Sequence, residues 1–188
     1  MKWLSIFVLA VATSVCVDGS TALTAAQTND KASPIYGVTI PAGYRQWDLV
    51  SVAHEAGDYD DLRATLGNAV AMTAFRNGTL PFPDCTIIAR LAWKYVPSAE
   101  NNKVFGQFQS FIAGPATNVQ FMVKDSKKYA VTGGWGFAEF TDGKPADEAV
   151  HKTCFSCHEP AKGHDFVFTR YAPLGPNVRL LNRESDKV

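Results

Sequence analysis

The sequence has no excess of charge of either sign. Its 188 residues carry 18 Lys and Arg against 18 Asp and Glu, a formal net charge of +0 at pH 7. A balanced chain creates no extended field that would gather nucleic acid or an anionic membrane surface. Internal repeats, coiled-coil heptads and low-complexity stretches are also missing. We therefore expect one ordinary globular domain with no nucleic-acid partner.

Apart from one N-terminal segment, the sequence also lacks long hydrophobic runs. Trp3–Val17 is mostly apolar, follows the cationic Lys2 and precedes the small residues Ser20–Ala22. This run falls short of the ~20 apolar residues that span a bilayer, and its layout is that of a secretory signal with a cleavage site. We therefore expect an exported protein, periplasmic or secreted. We expect a signal peptide at residues 1–22, a flexible leader at 23–37, a folded domain at 38–176 and a C-terminal tail at 177–188.

Cysteine is scarce, yet two of the four cysteines stand close together. They belong to the pentad Cys154-Phe155-Ser156-Cys157-His158. C-x-x-C-H is the attachment pattern of a c-type haem, in which both thiols add across the haem vinyl groups and the histidine ligates the iron. A zinc site would need a second cysteine pair, which the sequence does not have. The pentad predicts one haem c, covalently bound through Cys154 and Cys157, with His158 as the metal ligand.

The other two cysteines follow no such pattern. Cys16 lies in the predicted signal, where Val15 replaces the small residue that a lipoprotein signal requires. Removal of the signal would leave Cys85 as a single thiol. We interpret Cys85 as a buried small residue, with an intermolecular disulfide as the alternative.

Alternating apolar residues separated by turn residues indicate a chain rich in short strands. Asn68 and Gly78 are a plausible N-cap and stop for a helix over residues 69–77. The pattern predicts a single α+β domain built on an antiparallel β-sheet with a few short helices. Predicted strands lie at residues 47–54, 62–67, 86–95, 108–113, 119–124, 135–140 and 165–171, further helices at 125–130 and 146–154, and a loop at 97–102.

Three motifs together resemble the cytochrome P460 / cytochrome c′-beta family. They are Gly134-Trp135-Gly136-Phe137, the Cys154–His158 pentad and Asp165-Phe166-Val167-Phe168-Thr169. Phe82-Pro83-Asp84-Cys85-Thr86 is similar to the family's Pro-Asp-Gly-Thr turn, with Cys85 in place of Gly, and the likeness runs from about Tyr44 to Pro173. The resemblance implies a dimeric, sheet-dominated c-haem protein with an open distal side. Its P460 type has a lysine cross-linked to the haem and oxidises hydroxylamine, whereas its c′-beta type lacks the cross-link and binds gases such as nitric oxide.

The cross-linking lysine of the P460 type has no clear counterpart in this chain. The alignment of the Pro-Asp turn puts Arg90 at its position, and a protonated guanidinium is a poor nucleophile. Lys94 shares the strand face of Arg90, but a strand advances about 3.3 Å per residue, so the two positions lie roughly 13 Å apart. Only a different alignment register would bring Lys94 to the cross-link site. The strand face that carries Arg90 and Lys94 is equally compatible with exposure to solvent.

The resemblance also implies further distal residues. Arg63 is similar to the family's distal arginine, although it could equally be a surface residue beside Asp60 and Asp61. Phe82 is expected either to cap the iron or to pack in the core. Glu148 lies in the loop before the haem, where the family can place a proton-handling residue, and its alternative is a solvated loop acid.

These features predict an exported haem protein with an open distal site that binds or oxidises small nitrogen compounds such as hydroxylamine and nitric oxide. Whether it is an enzyme stays open, because a non-enzymatic nitric oxide-binding protein fits nearly as well. A third possibility is an electron carrier with Met72 or Met122 as a sixth ligand, although both fit the core better. A homodimer is expected, and electron exchange would need a redox partner protein.

Overall fold

The computed structural model describes residues 31–172, which form a six-stranded antiparallel sheet with its strands in chain order. The predicted signal peptide at 1–22 and tail at 177–188 lie outside these residues. The elements in order are β1 (Asp48–Glu55), β2 (Asp61–Gly67), α1 (Ala69–Asn77), β3 (Ile87–Pro97), α2 (Ala99–Phe105), β4 (Phe111–Lys124), β5 (Trp135–Thr141), β6 (Lys144–Pro145) and α3 (Glu148–His158). Short 3₁₀ turns occupy Tyr44–Gln46, Ala130–Thr132 and Glu159–His164. The predicted α+β class is confirmed.

The packed part of the chain begins earlier than the predicted boundary at residue 38. Ser33 and Tyr36, both in the expected leader, are buried, and the Tyr36 ring contacts Phe137 at 5.4 Å. Ser33 Oγ also donates to the carbonyl of Phe137. The segment from Ser33 onwards is therefore part of the folded domain.

Five predicted elements are wrong in type or extent. The predicted loop 97–102 is instead the last residue of β3 followed by the first turn of α2, whose start is capped by Ser98 Oγ, which accepts from the Asn101 amide at 3.2 Å. Residues 111–113 and 119–124 of two predicted strands are parts of one long strand, β4, which pairs with β3 across two register shifts, whereas residues 108–110 precede it. Residues 126–129 form turns instead of a helix, and Asp125 Oδ1 accepts there from the amides of Lys127 at 3.1 Å and Lys128 at 2.8 Å. The final predicted strand, 165–171, is irregular, since Asp165 and Phe166 have left-handed φ angles of 52° and 65°.

Helix α1 has the bounds that its flanking residues predict. Asn68 Oδ1 accepts from the amides of Ala71 at 2.9 Å and of Ile87 at 3.2 Å. Its Nδ2 donates to the carbonyl of Cys85 at 2.8 Å. One side chain thus ties the helix start to the start of β3.

We expect Asn68→Ala to lower the free energy of unfolding by about 1–2 kcal/mol, because it removes an N-cap and leaves buried amides without an acceptor. Chemical denaturation of the holoprotein measures this. Thr73→Ala in the same helix, where the exposed Thr73 hydroxyl bonds to the Ala69 carbonyl, is the control and should cost less than about 0.5 kcal/mol. Equal losses in the two variants would contradict the capping role.

Alternation along the strands gives the sheet two different faces. On one face Phe121 packs edge-on against Tyr44 at 5.1 Å. On the other face, directly paired positions on β2, β3, β4 and β5 form a row that we call the polar row, consisting of Thr65, Arg90, Gln120 and Glu139. Helix α3 follows β6 in the chain and packs against β5. No helix within residues 31–172 is long and apolar enough to cross a membrane.

Candidate haem site

The pentad lies at the C-terminal end of α3, which extends further than the predicted helix over 146–154. Asp147 accepts from the Val150 amide at 2.9 Å and caps the start of the helix. Because residues three apart lie on one side of a helix, Cys154 and Cys157 point in similar directions. Cys154 is partly buried and Cys157 is exposed.

A fully buried histidine fixes α3 on the sheet. His151 Nε2 accepts from the Glu139 amide at 3.2 Å, so its Nδ1 carries the proton and donates to the Asp147 carbonyl at 2.7 Å. Both ring nitrogens are therefore satisfied, as burial of a polar ring requires. The hydrogen bond between His151 and the Glu139 amide therefore fixes the position of α3, and with it the pentad, beside β5.

The surroundings of the Cys154 thiol disfavour its thiolate form. Burial, followed by the nearby Glu139 carboxylate and Cys157, raises the pKa of Cys154 to about 11. Its sulfur lies 3.6 Å from the Val150 carbonyl oxygen, to which the thiol donates. A structural zinc site takes four protein ligands, whereas no three His, Cys, Asp or Glu side chains within residues 31–172 are grouped so that they could hold a metal ion, so the pentad fits thioether attachment of haem better.

His158 is held in the tautomer that binds a metal. Its Nδ1 donates to the Phe166 carbonyl at 2.8 Å, which leaves the Nε2 lone pair available. The ring is flanked by Phe137 at 5.0 Å and Phe168 at 5.2 Å. Burial lowers the pKa of His158, the Phe166 carbonyl partly offsets this, and the Arg90 charge lowers it further. A neutral imidazole with a fixed Nδ1 proton fits an axial haem ligand.

The segment that accepts this hydrogen bond is anchored by a buried ion pair. Asp165 meets Lys124 Nζ at 2.8 Å, and the two side chains are 9% and 6% exposed. Lys124 also donates to the Gly133 carbonyl at 3.0 Å and lies over the Trp135 ring at 4.9 Å. Lys124 was not predicted as a site residue, and the cation at the end of a largely apolar strand was the only signal for it.

Arg90 lies in the polar row, within electrostatic range of His158. Its Nη2 donates to Asn118 Oδ1 at 2.9 Å, whereas its Nε is buried with no hydrogen-bond partner among the described residues. Burial lowers the pKa of Arg90, and the neighbouring Arg63 lowers it further. A buried unpaired donor is costly, so this atom fits a site that receives an acceptor from a bound group.

Arg63 is neutralised by carboxylates. Its guanidinium contacts Asp61 through Nε at 2.7 Å and Nη2 at 3.3 Å, and Glu55 at 3.5 Å. It also lies over the Tyr59 ring at 5.0 Å. Arg63 is therefore a partly buried residue that pairs with Asp61 and lies near Arg90, and its distal role stays a prediction.

Lys94 and Glu148, two further predicted distal residues, lie in exposed positions. Lys94 lies towards the end of β3, directly opposite Asp61 of β2 in the strand register, and is exposed. Glu148 forms a surface ion pair with Lys152 at 2.7 Å in the first turn of α3. Their predicted roles at the iron remain predictions, and the register of the sheet places Arg90, not Lys94, in the polar row.

Glu139 is the acidic residue that the structure brings to this site. It accepts a hydrogen bond from Gln120 Nε2 in the polar row and interacts electrostatically with Cys154 and Arg90. Sequence reasoning missed Glu139. The available signal was an acid within the otherwise apolar alternation of β5.

The remaining candidates lie in the core or outside the site. Phe82 is buried between Phe75 at 4.9 Å and Trp135 at 5.8 Å, and its role as an iron cap stays a prediction. Met72 and Met122 are buried in the core, as expected. Cys85 is partly buried and, in the full-length chain, disulfide-bonded; the expectation of a single thiol concerns the chain after removal of residues 1–22 and stays a prediction.

A family model described as Cytochrome P460 matches residues 41–169, well over half of the chain. The match includes the three motifs and the polar row. No curated protein matches this chain.

Proposed function

Because the chain belongs to the cytochrome P460 family, we propose that it is a c-type haem protein with an open iron site that binds small nitrogen ligands such as nitric oxide. The hydrogen bond from His158 Nδ1 to the Phe166 carbonyl carries this proposal, since it directs Nε2 towards an iron. Haem, when bound, supplies a metal centre that coordinates small ligands and exchanges single electrons.

The residues around His158 suit ligand binding. Cys154 and Cys157 would hold one haem covalently. The buried Phe137 and the exposed Phe168 flank the His158 ring and would orient it towards the iron. Arg90 offers an unpaired donor, and burial in a medium of low dielectric strengthens its interaction with a polar ligand or a haem carboxylate.

We propose the form without a lysine cross-link. Arg90 occupies the polar row, where the resemblance expects the cross-linking lysine, and a guanidinium does not attack a haem carbon. Lys94 is exposed at the end of β3. The expected result is a ferrous Soret band without a strong red shift, and a tryptic digest in which no lysine peptide is joined to the haem peptide. A Lys94-containing peptide on the haem would refute this proposal.

Five-coordinate iron is the expected state, because Met72 and Met122 are packed in the core. Titration of the ferrous protein with nitric oxide should convert a high-spin spectrum to a nitrosyl form with one equivalent per haem. Met72→Leu and Met122→Leu, which keep the core volume, should leave both spectra unchanged. A low-spin wild-type spectrum that is lost in either variant would instead support the His/Met electron carrier.

Glu139 favours a second candidate function, oxidation of hydroxylamine, because that reaction releases protons. A carboxylate beside the pentad could accept them, and general-base catalysis typically contributes ~10²–10⁴-fold. If the protein is an oxidase, Glu139→Gln should reduce turnover by about that factor. If Glu148→Gln reduces turnover and Glu139→Gln does not, the proton acceptor is Glu148, as the sequence predicts. If the wild type shows no turnover, ligand binding is the function.

We further propose that the protein is exported and assembles as a homodimer, with a redox partner protein if it turns over. Covalent attachment of haem c takes place outside the cytoplasm, which supports the predicted signal at residues 1–22. Phe105, Phe108 and Ile112 at the β3–β4 end expose large apolar surface, which supports an association surface. Detection of the mature protein in a periplasmic or culture fraction, and its mass in solution, would test these two points.

A further inference from the structure

We propose that the buried Lys124–Asp165 ion pair is a positioning device for the axial ligand: it holds the Phe166 carbonyl against His158 Nδ1 and so sets the donor strength of the imidazole towards iron. The inference rests on the proposed haem at the pentad. It concerns two residues that do not themselves contact the metal.

The acceptor carbonyl belongs to a backbone that needs external support. Asp165 and Phe166 have consecutive positive φ angles of 52° and 65°, a conformation that non-glycine residues adopt at a cost. Such strained residues persist only where the surroundings over-determine them. The orientation of the Phe166 carbonyl therefore depends on what holds these two residues.

The Asp165 side chain supplies most of this support. Its carboxylate oxygens each accept from Lys124 Nζ at 2.8 Å, and one of them also accepts from the Phe82 amide at 2.8 Å. Lys124 is fixed in turn by the Gly133 carbonyl. The ion pair thus ties the end of β4 and the Phe82 loop to the residue that precedes the acceptor.

The Phe166 ring completes the clamp. A Cβ atom added at Gly133 would lie 2.1 Å from Phe166 Cε2, so the ring rests directly on the Gly133 backbone. The Phe166 amide donates to the Ala161 carbonyl at 3.0 Å. The ring and the amide of Phe166 are thus both held in place, and the Phe166 carbonyl oxygen lies 2.8 Å from His158 Nδ1.

A hydrogen bond at Nδ1 controls the basicity of a histidine ligand. A short bond to a well-placed carbonyl gives the ring more imidazolate character, strengthens the iron–histidine bond and favours ferric iron. If the carbonyl moves away, the iron–histidine bond weakens and the reduction potential rises. The ion pair would therefore act on the iron through the Phe166 carbonyl.

The test uses the haem-loaded protein and two readouts, the iron–histidine stretching frequency of the ferrous form by resonance Raman and the reduction potential. Asp165→Asn removes the ion pair but also a charge. The decisive variant is Lys124→Met/Asp165→Asn, which leaves the net charge of the pair unchanged. We expect both variants to lower the stretching frequency and to shift the potential to more positive values.

Ser98→Ala is the control, because Ser98 is buried and caps α2 away from the pentad. It should lower the melting temperature without moving either readout. Asp165→Glu, which keeps the charge but displaces the carboxylate, serves if the double variant does not fold, and should shift both readouts in the same direction.

Three outcomes would overturn the inference. One is a lower melting temperature with an unchanged frequency in the double variant or, if that does not fold, in Asp165→Glu. Another is a potential shift in Asp165→Asn that disappears in the double variant, which would show only a field effect of the lost charge. The third is a shift in the Ser98→Ala control. Failure of the wild type to carry haem would count against the proposed cofactor instead.

Discussion

A Cys154→Ser/Cys157→Ser double variant is expected to carry no covalently bound haem. Each thioether needs a thiol at one of these positions, and a hydroxyl does not form the equivalent bond under the same conditions. Serine is close to cysteine in size, so α3 should keep its cap at Asp147 and its contact through His151. The measurement is the intact mass of the mature protein, in which the wild type gains one haem and the double variant none.

Ser156→Ala is the matched control for this variant, because Ser156 lies between the two cysteines and its exposed hydroxyl donates to the Thr153 carbonyl one turn earlier in α3. It should keep the full haem mass after acid–acetone extraction. His158→Gln should also keep the covalent haem but change its spectrum, since attachment and axial ligation are separate functions of the pentad. Haem that survives extraction in the double variant would refute the assignment of the pentad.

The local signals of the sequence were sufficient for α1 but not for α2. Asn68 and Gly78 flank nine residues with apolar spacing, and both caps act within the helix itself. Helix α2 has seven residues and buries none of them, so it shows no apolar periodicity. Its caps, Ser98 and Gly106, were the signals that could have predicted it.

Long-range contacts account for the C-terminal error and for the missed residues. The run Phe166-Val167-Phe168 is typical of a strand. In the structure, however, Asp165 pairs with Lys124, 41 positions earlier, and Asp165 and Phe166 have left-handed backbone angles. Glu139 likewise becomes a site residue only through the pairing of β5 with β4 and the docking of α3. Neither relation can be obtained from spacing along the chain.

The prediction for the pentad, in contrast, needs the sequence alone, because all its donors lie within five consecutive residues. The motif predicts which atoms attach and ligate a haem. It does not indicate the acceptor for His158 Nδ1, which comes from Phe166. The support of His158 therefore emerges only from the fold.

Lys124→Met is expected to lower the free energy of unfolding by about 3–5 kcal/mol, because it leaves the Asp165 carboxylate buried without its cation. The pair has 6% and 9% exposed side chains, so water cannot replace the lost ammonium. Lys124→Met/Asp165→Asn should recover most of this loss, since an amide can still accept from the Phe82 amide and no charge remains buried. Chemical denaturation of the haem-loaded variants provides the three values.

The Arg76–Asp48 pair is the control, because it has the same 2.8 Å separation but 47% and 62% exposed side chains. Arg76→Met should cost no more than about 1 kcal/mol, as solvent screens exposed pairs. The contrast between two pairs of equal length isolates burial as the source of the larger effect. If Lys124→Met costs no more than Arg76→Met, or if the double variant is as unstable as Lys124→Met, then the buried charge is not what makes Lys124 necessary.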